Sequence, residues 1–303
     1  MNRNIIYSIL FSFALLFTLA SCDEISEPYT KGNEVIPPID NTQPKILIEE
    51  FTGIKCVHCP KGAAMITQLE AAYPDKIIAV GIHAGLGFAN PDKNPPLNYD
   101  FRTKEGNEIY DFYDISLYGQ PCALINRTTY ENSLVLMNEK WNEAITQFWD
   151  LYKAAEVKIE VKAWYEQSSR RVTAEVNLNY LASQTELNKL SVWILEDSVV
   201  KAQKTESGGD ASNGSIITNY VNNHALRYSF NGTWGESVND GNIPLGFMSQ
   251  RLFEYTLPAD CDWNPDHLKI VAFVYTDNAG VKNAEEAEVE KTILLKTSLT
   301  KRK

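Results

Sequence analysis

Residues 46–60 read "ILIEEFTGIKCVHCP". An apolar run turns acidic at Glu49 and Glu50, breaks at Thr52-Gly53, and delivers Cys56 and Cys59 with His58 between them. The first seven residues have the composition of a strand. Pro60 lacks an N–H and fits a helix only near its first turn, so a helix is expected to start close to Cys56. It should run through "KGAAMITQLEAAY", with Ala64, Ile66, Leu69 and Ala72 on one face, and end before Pro74. Strand, break and helix put both sulfurs at a helix N-terminus, where unpaired N–H groups and the helix dipole favour a thiolate.

Three chemistries fit such a pair: a redox dithiol, a structural disulfide, or part of a metal clip. A zinc clip needs about four ligands. His83 and Cys122 could contribute, although a histidine at a strand end also reads as a core residue. In the dithiol reading Cys56 is the exposed nucleophile and Cys59, one turn inward, resolves the mixed disulfide. A thiolate at such a position can have a pKa of about 3.5–7.5, against about 8.5 for a free thiol. His58 would stabilise the reduced form, with weaker help from Lys55. Glu50 would point under the thiols with a raised pKa and relay a proton to or from Cys59. Side chains alternate along a strand, so Glu49 would face the other way.

Residues 45–153 alternate strand and helix. "KIIAVGIHA" is a near-continuous apolar run, as in a buried parallel strand, and "FRTKEGNEIYDFYDI" can be helical despite Gly106. "CALIN" is a short strand, and "LVLMNEKWNEAITQFWDLYK" a long amphipathic helix with Met137, Trp141, Ile145, Phe148 and Leu151 on one side. From residue 154 the pattern changes to strands separated by turn residues, with a competing helical period only at 215–230. Two domains are therefore expected: an α/β domain over 45–153 and an all-β sandwich over 154–303, immunoglobulin-like but without a Cys…Trp…Cys signature. Cys261 reads as a lone structural thiol. His224, Arg227 and Trp234 read as a packing loop or as the lining of a binding surface.

The N-terminus supplies an address. Arg3 precedes the apolar "IIYSILFSFALLFTLA", too short and poorly flanked for a comfortable transmembrane helix. Leu19-Ala20-Ser21-Cys22 resembles a bacterial lipobox, which implies cleavage of signal peptide 1–21 and lipidation of Cys22. Residues 22–44, polar and proline-interrupted, then read as a tether. Asp23-Glu24 resembles the export signal of surface lipoproteins in Bacteroidetes. Outside the cytoplasm, disulfides persist.

"ILIEEFTGIKCVHC" resembles the thioredoxin superfamily pattern of strand, buried acid, aromatic, turn and Cys-x-x-Cys, with Glu50 and Phe51 matching the acid and aromatic of disulfide isomerase domains. "YGQPCALI" adds Gln120 and Pro121 where that superfamily keeps a cis-proline. The resemblance implies that these residues face the dithiol and dock an extended substrate. Lys55 replaces the usual tryptophan, Pro60 follows the second cysteine, and Cys122 follows the proline, which would place a third thiol near the pair. As a whole the chain resembles the twenty-eight-kilodalton outer-membrane-protein family of Bacteroidetes, to which "YVNNHALRYSFNGTWGE" (220–236) is also similar.

The expected location is the outer membrane, lipid-anchored, on its periplasmic or surface face. Two functions stand open: a thiol–disulfide oxidoreductase acting on envelope or surface proteins, or a non-enzymatic surface lipoprotein of adhesin type that uses the fold as a scaffold. The first implies a protein substrate or redox partner in the envelope; the second implies a host or surface ligand. No small-molecule cofactor and no resident metal is implied. The formal net charge of −11 repels phosphate backbones and argues against nucleic acid as a partner.

Overall fold

The computed structural model describes residues 43–207 and 210–292; the signal segment, Cys22 and most of the tether lie outside them. β1 (Ile46–Thr52) and β2 (Ile77–His83) run parallel, with Ile46 opposite Ile77 and Thr52 opposite His83. Both are buried along nearly their whole length because both faces are covered. Between them, α1 (Cys59–Ala72) starts at the second cysteine, within a turn of the expected start near Cys56. Pro60 falls in its first turn, where a missing N–H costs no intrahelical bond. Its buried stripe is Cys59, Gly62, Ile66 and Leu69. Ala64 and Ala72, expected on that stripe, are exposed.

The helix expected around Gly106 forms as α2 (Lys104–Phe112), capped by Thr103, whose hydroxyl accepts from the Gly106 N–H at 2.9 Å. β3 (Cys122–Ile125) pairs antiparallel with β1, setting Ala123 opposite Glu50 and Cys122 opposite Phe51. β4 (Val135–Met137) extends the sheet from β3. The long helix expected over 134–153 is therefore shorter. Its first residues are drawn into that strand, and α3 spans Trp141–Leu151. Trp141, Ile145 and Phe148 are buried as expected, whereas Met137 and Leu151 are exposed.

Ten further strands follow: β5 (Val157–Glu166), β6 (Arg171–Tyr180), β7 (Lys189–Glu196), β8 (Val199–Ser207), β9 (Asp210–Asn222), β10 (Ala225–Ser229), β11 (Glu236–Ser237), β12 (Met248–Thr256), β13 (Leu268–Thr276) and β14 (Gly280–Lys291). The helical period at 215–230 is overridden by β9 and β10. β8 and β9 pair only with each other, as a two-stranded arm.

The expected fold class, a thioredoxin-like α/β domain followed by a separate immunoglobulin-like sandwich, is not what forms. The chain is mostly β, and strands from both halves join one 12-stranded mixed sheet. Its order is β12-β6-β5-β14-β13-β7-β10-β2-β1-β3-β4, with β11 on β7. The seam is β10 against β2, where Ala225 lies opposite Gly81 and the Gly81 N–H donates to the His224 carbonyl at 2.8 Å. At the other end β14 turns the corner, pairing first with β13 and then, through residues 289–291, with β5.

The physical reason lies in β7 and β13. Leu190, Val192 and Ile194 face a core shared with β5 and β6, while Trp193, Leu195, Phe273 and Tyr275 face a second core with Leu47, Phe51, Val80 and Cys122. A sandwich standing alone would keep polar outer faces. These two strands have none to offer, so the α/β half is built directly onto them.

Candidate functional site

Cys56 and Cys59 are joined as a disulfide, Cα to Cα 5.4 Å, between the end of β1 and the first residue of α1. The turn that carries Cys56 depends on Gly53. A Cβ there would lie 2.4 Å from the Phe88 carbonyl carbon, so only glycine lets the loop after β2 come this close. Within the contact, the Lys55 N–H donates to the Phe88 carbonyl and the Cys56 N–H to the Gly53 carbonyl, both at 2.9 Å. From the other side comes the loop before β3. Its Gln120–Pro121 peptide is cis, and the Gln120 carbonyl oxygen lies 3.5 Å from Cys56 Sγ.

Glu50 lies beneath α1. It is buried, and the position of a Cβ on Gly62, one turn after Cys59, would fall 2.5 Å from its Oε1 and 2.6 Å from Pro121 Cβ. Among the described residues Glu50 Oε1 has no hydrogen-bond partner. Burial without a compensating charge raises its pKa to about 8, so the carboxyl holds its proton at neutral pH. Glu49 faces the other way, as alternation requires. There it is buried against Arg127, in contacts of 2.8 Å to Nε and 2.6 Å to Nη2.

The sulfurs are covered. Cys56 is 1% exposed and Cys59 3%, against the expectation of an exposed Cys56. The β8–β9 arm lies against the turn that carries Cys56. Gln203 Nε2 donates to the carbonyls of Gly53 (3.1 Å) and Cys56 (2.9 Å), and the Lys204 N–H donates to the Ile54 carbonyl at 2.8 Å. Glu206 then reaches over to His58 Nδ1 (2.5 Å) and Lys61 Nζ (2.6 Å). His58 is thus the residue before α1, with its ring engaged by Glu206. The arm escaped sequence reasoning because "VVKAQKTES" carries no chemical signature; its effect comes from where the chain returns.

Other candidates lie elsewhere. Cys122 faces the core of Phe51 and Ile82, across the sheet from Glu50's side, and burial pushes its thiol to about 12. A thiol that weakly acidic is inert as a nucleophile at neutral pH. His83 is buried, stacked on Phe101 at 4.4 Å, and burial together with Arg227 lowers its pKa to about 3. Among the described residues no three potential metal ligands converge. His224 lies within 4 Å of Glu70 and Asp197 at the seam, Arg227 pairs with Glu196, and Trp234 packs on Phe112. These three form no common surface. Cys261 is a free, half-buried thiol.

A family profile described as outer membrane protein Omp28 matches residues 107–293. Among solved structures, HBP35 of Porphyromonas gingivalis aligns with a TM-score of 0.58 at 16% identity, covering 82% of this chain and 77% of that one. A protein from Agrobacterium tumefaciens aligns at a TM-score of 0.47 and 15% identity, over 84% of this chain and 98% of that one. A domain of the outer membrane lipoprotein Omp28 from Porphyromonas gingivalis aligns at 0.31 and 20% identity, over 46% and 92%. No curated protein matches in sequence.

Proposed function

The chain belongs to the Omp28 family of outer membrane proteins, and from that premise we propose that it carries out thiol–disulfide exchange on proteins of the cell envelope, held to the outer membrane by acyl chains on Cys22. The observation that carries the reading is the grouping of a Cys56–Cys59 disulfide, a buried carboxylic acid under the helix that bears Cys59, and the Gln120–Pro121 loop against Cys56.

A thiolate of a substrate dithiol attacks Cys56 Sγ, the Cys56–Cys59 bond breaks, and its electron pair leaves on Cys59. The N-terminus of α1 stabilises that charge, and the Glu50 carboxyl delivers the proton, then takes up from solvent the proton that the substrate thiol released. The substrate's second thiolate then attacks the mixed disulfide and releases Cys56, which takes up a proton. The substrate is oxidised to a disulfide and the pair is reduced to a dithiol; the reverse sequence reduces a substrate. In this scheme Gln120 and Pro121 align the substrate chain beside Cys56, and His58 stabilises the thiolate form.

One observation favours a non-enzymatic surface protein instead, namely that both sulfurs are almost completely buried. Trapping separates the two. With Cys59→Ser, Cys56 has no resolving thiol, so substrates should accumulate as reducible adducts in intact cells and disappear in the Cys56→Ser/Cys59→Ser chain. Equal patterns from both chains would overturn the exchange reading.

A further inference from the structure

We propose that the β8–β9 arm is an internal occupant of the turn backbone beside the disulfide, and that the partner which replaces it is an extended polypeptide segment carrying a cysteine. The inference rests on the exchange reading above and adds to it the route by which a substrate reaches the sulfurs.

The arm is separate from the main sheet. The part that lies beside the site, residues 199–206 with 215–222, is rooted by Val199 and Ala202 packing on Ile54 and Ala225. From that root β8 runs past residues 53–56, and three carbonyls of that short stretch, on Gly53, Ile54 and Cys56, all accept from Gln203 or Lys204. One of the three bonds is backbone to backbone. The other two come from a side chain that is only 2% exposed.

These acceptors lie in the turn after β1, a strand already paired on both sides, so they are turn carbonyls open to a donor from outside the sheet. Here the protein's own strand holds them. If the arm lifts away, the Ile54 and Cys56 carbonyls lose these donors, whereas the Gly53 carbonyl keeps the Cys56 N–H, and water or a new chain must replace the lost bonds. The N–H groups of an incoming extended segment supply those donors, and a cysteine in that segment is then brought alongside Cys56. The same movement frees His58 and Lys61, which flank Cys59 in sequence, from Glu206.

The test uses full-length protein, as wild type and as the Gln203→Ala and Glu206→Gln chains, each checked for a native near-ultraviolet spectrum. Glu206 is partly exposed, so its variant removes the latch without opening a core. Each oxidised chain is mixed with an unstructured decapeptide bearing one central cysteine, and separately with dithiothreitol. Mixed-disulfide formation and disulfide reduction are followed by mass spectrometry. The peptide adduct should form about tenfold faster in both variants, the effect of losing one or two hydrogen bonds from the closed form. Adduct formation at the same rate in all three chains would overturn the arm as occupant while leaving exchange intact. Faster dithiothreitol reduction in the variants with no peptide adduct in any chain would overturn both the polypeptide partner and the exchange reading.

Discussion

Gly62 and Glu50 meet so closely that residue 62 has no room for a side chain: its Cβ would lie 2.5 Å from Glu50 Oε1, with Pro121 Cβ at 2.6 Å. The contact ties three separated parts of the chain (β1, α1 and the loop before β3) into one site.

Gly62→Ala therefore sets two effects against each other. Alanine is the better helix former by about 1 kcal/mol. Forcing a methyl group against a proline ring costs about 1–3 kcal/mol, and the ring cannot rotate away as a flexible side chain could. The clash should win. The variant is expected to unfold at lower denaturant and to exchange disulfides more slowly, since α1 must shift off Pro121. An unchanged midpoint would mean that the loop before β3 yields freely.

Glu50 should leave a signature in the pH dependence of stability. Its folded pKa is about 8, against an ordinary 4.5. Between those values the unfolded chain has released a proton that the folded chain still holds. Stability is then fully present below about pH 4.5 and falls as pH rises toward 8. Glu50→Gln removes this penalty. At pH 7 it should stabilise the fold by up to about 3 kcal/mol, with little difference at pH 4. It should also slow exchange by removing the proton donor for Cys59. Denaturant titrations of both chains across pH 4–8 check the first part; parallel curves would show that Glu50 ionises normally.

The Glu49–Arg127 pair should behave as a buried ion pair that cannot be halved. Burial alone would lower the Arg127 pKa, but the charge and hydrogen bonds of Glu49 raise it above its ordinary value. The guanidinium also lies 4.8 Å from the Tyr275 ring centre and 5.1 Å from that of Phe273. Arg127→Met strands the Glu49 carboxylate and should cost about 3–5 kcal/mol. The Glu49→Leu/Arg127→Met chain should recover most of that loss. Additive losses in a double-mutant cycle would show no coupling.

Much of the candidate site was legible in the sequence because it is local or rests on strong backbone constraints. Pro60 held the helix start to within a few residues, and alternation sent Glu49 and Glu50 to opposite faces, whereas the place of Gln120-Pro121 beside Cys56 came only from a family resemblance. The fold as a whole was not. "SVWILE" in β7 is apolar on both faces, yet a run of alternating strands reads as a free-standing sandwich unless each strand's second face is asked what covers it. The arm was invisible for a different reason. Gln203 and Glu206 are ordinary polar residues, and they matter only through contacts with residues about 150 positions earlier, a separation that no local pattern encodes.

The measurement that bears most directly on exchange is the reduction potential of the Cys56–Cys59 couple, taken by equilibration with a thiol redox buffer and alkylation of the freed thiols. A working exchange site requires a potential above about −300 mV, where envelope thiols and disulfides can turn the pair over. A value below about −300 mV, unchanged in Glu50→Gln, would mark a structural disulfide and contradict the proposed function.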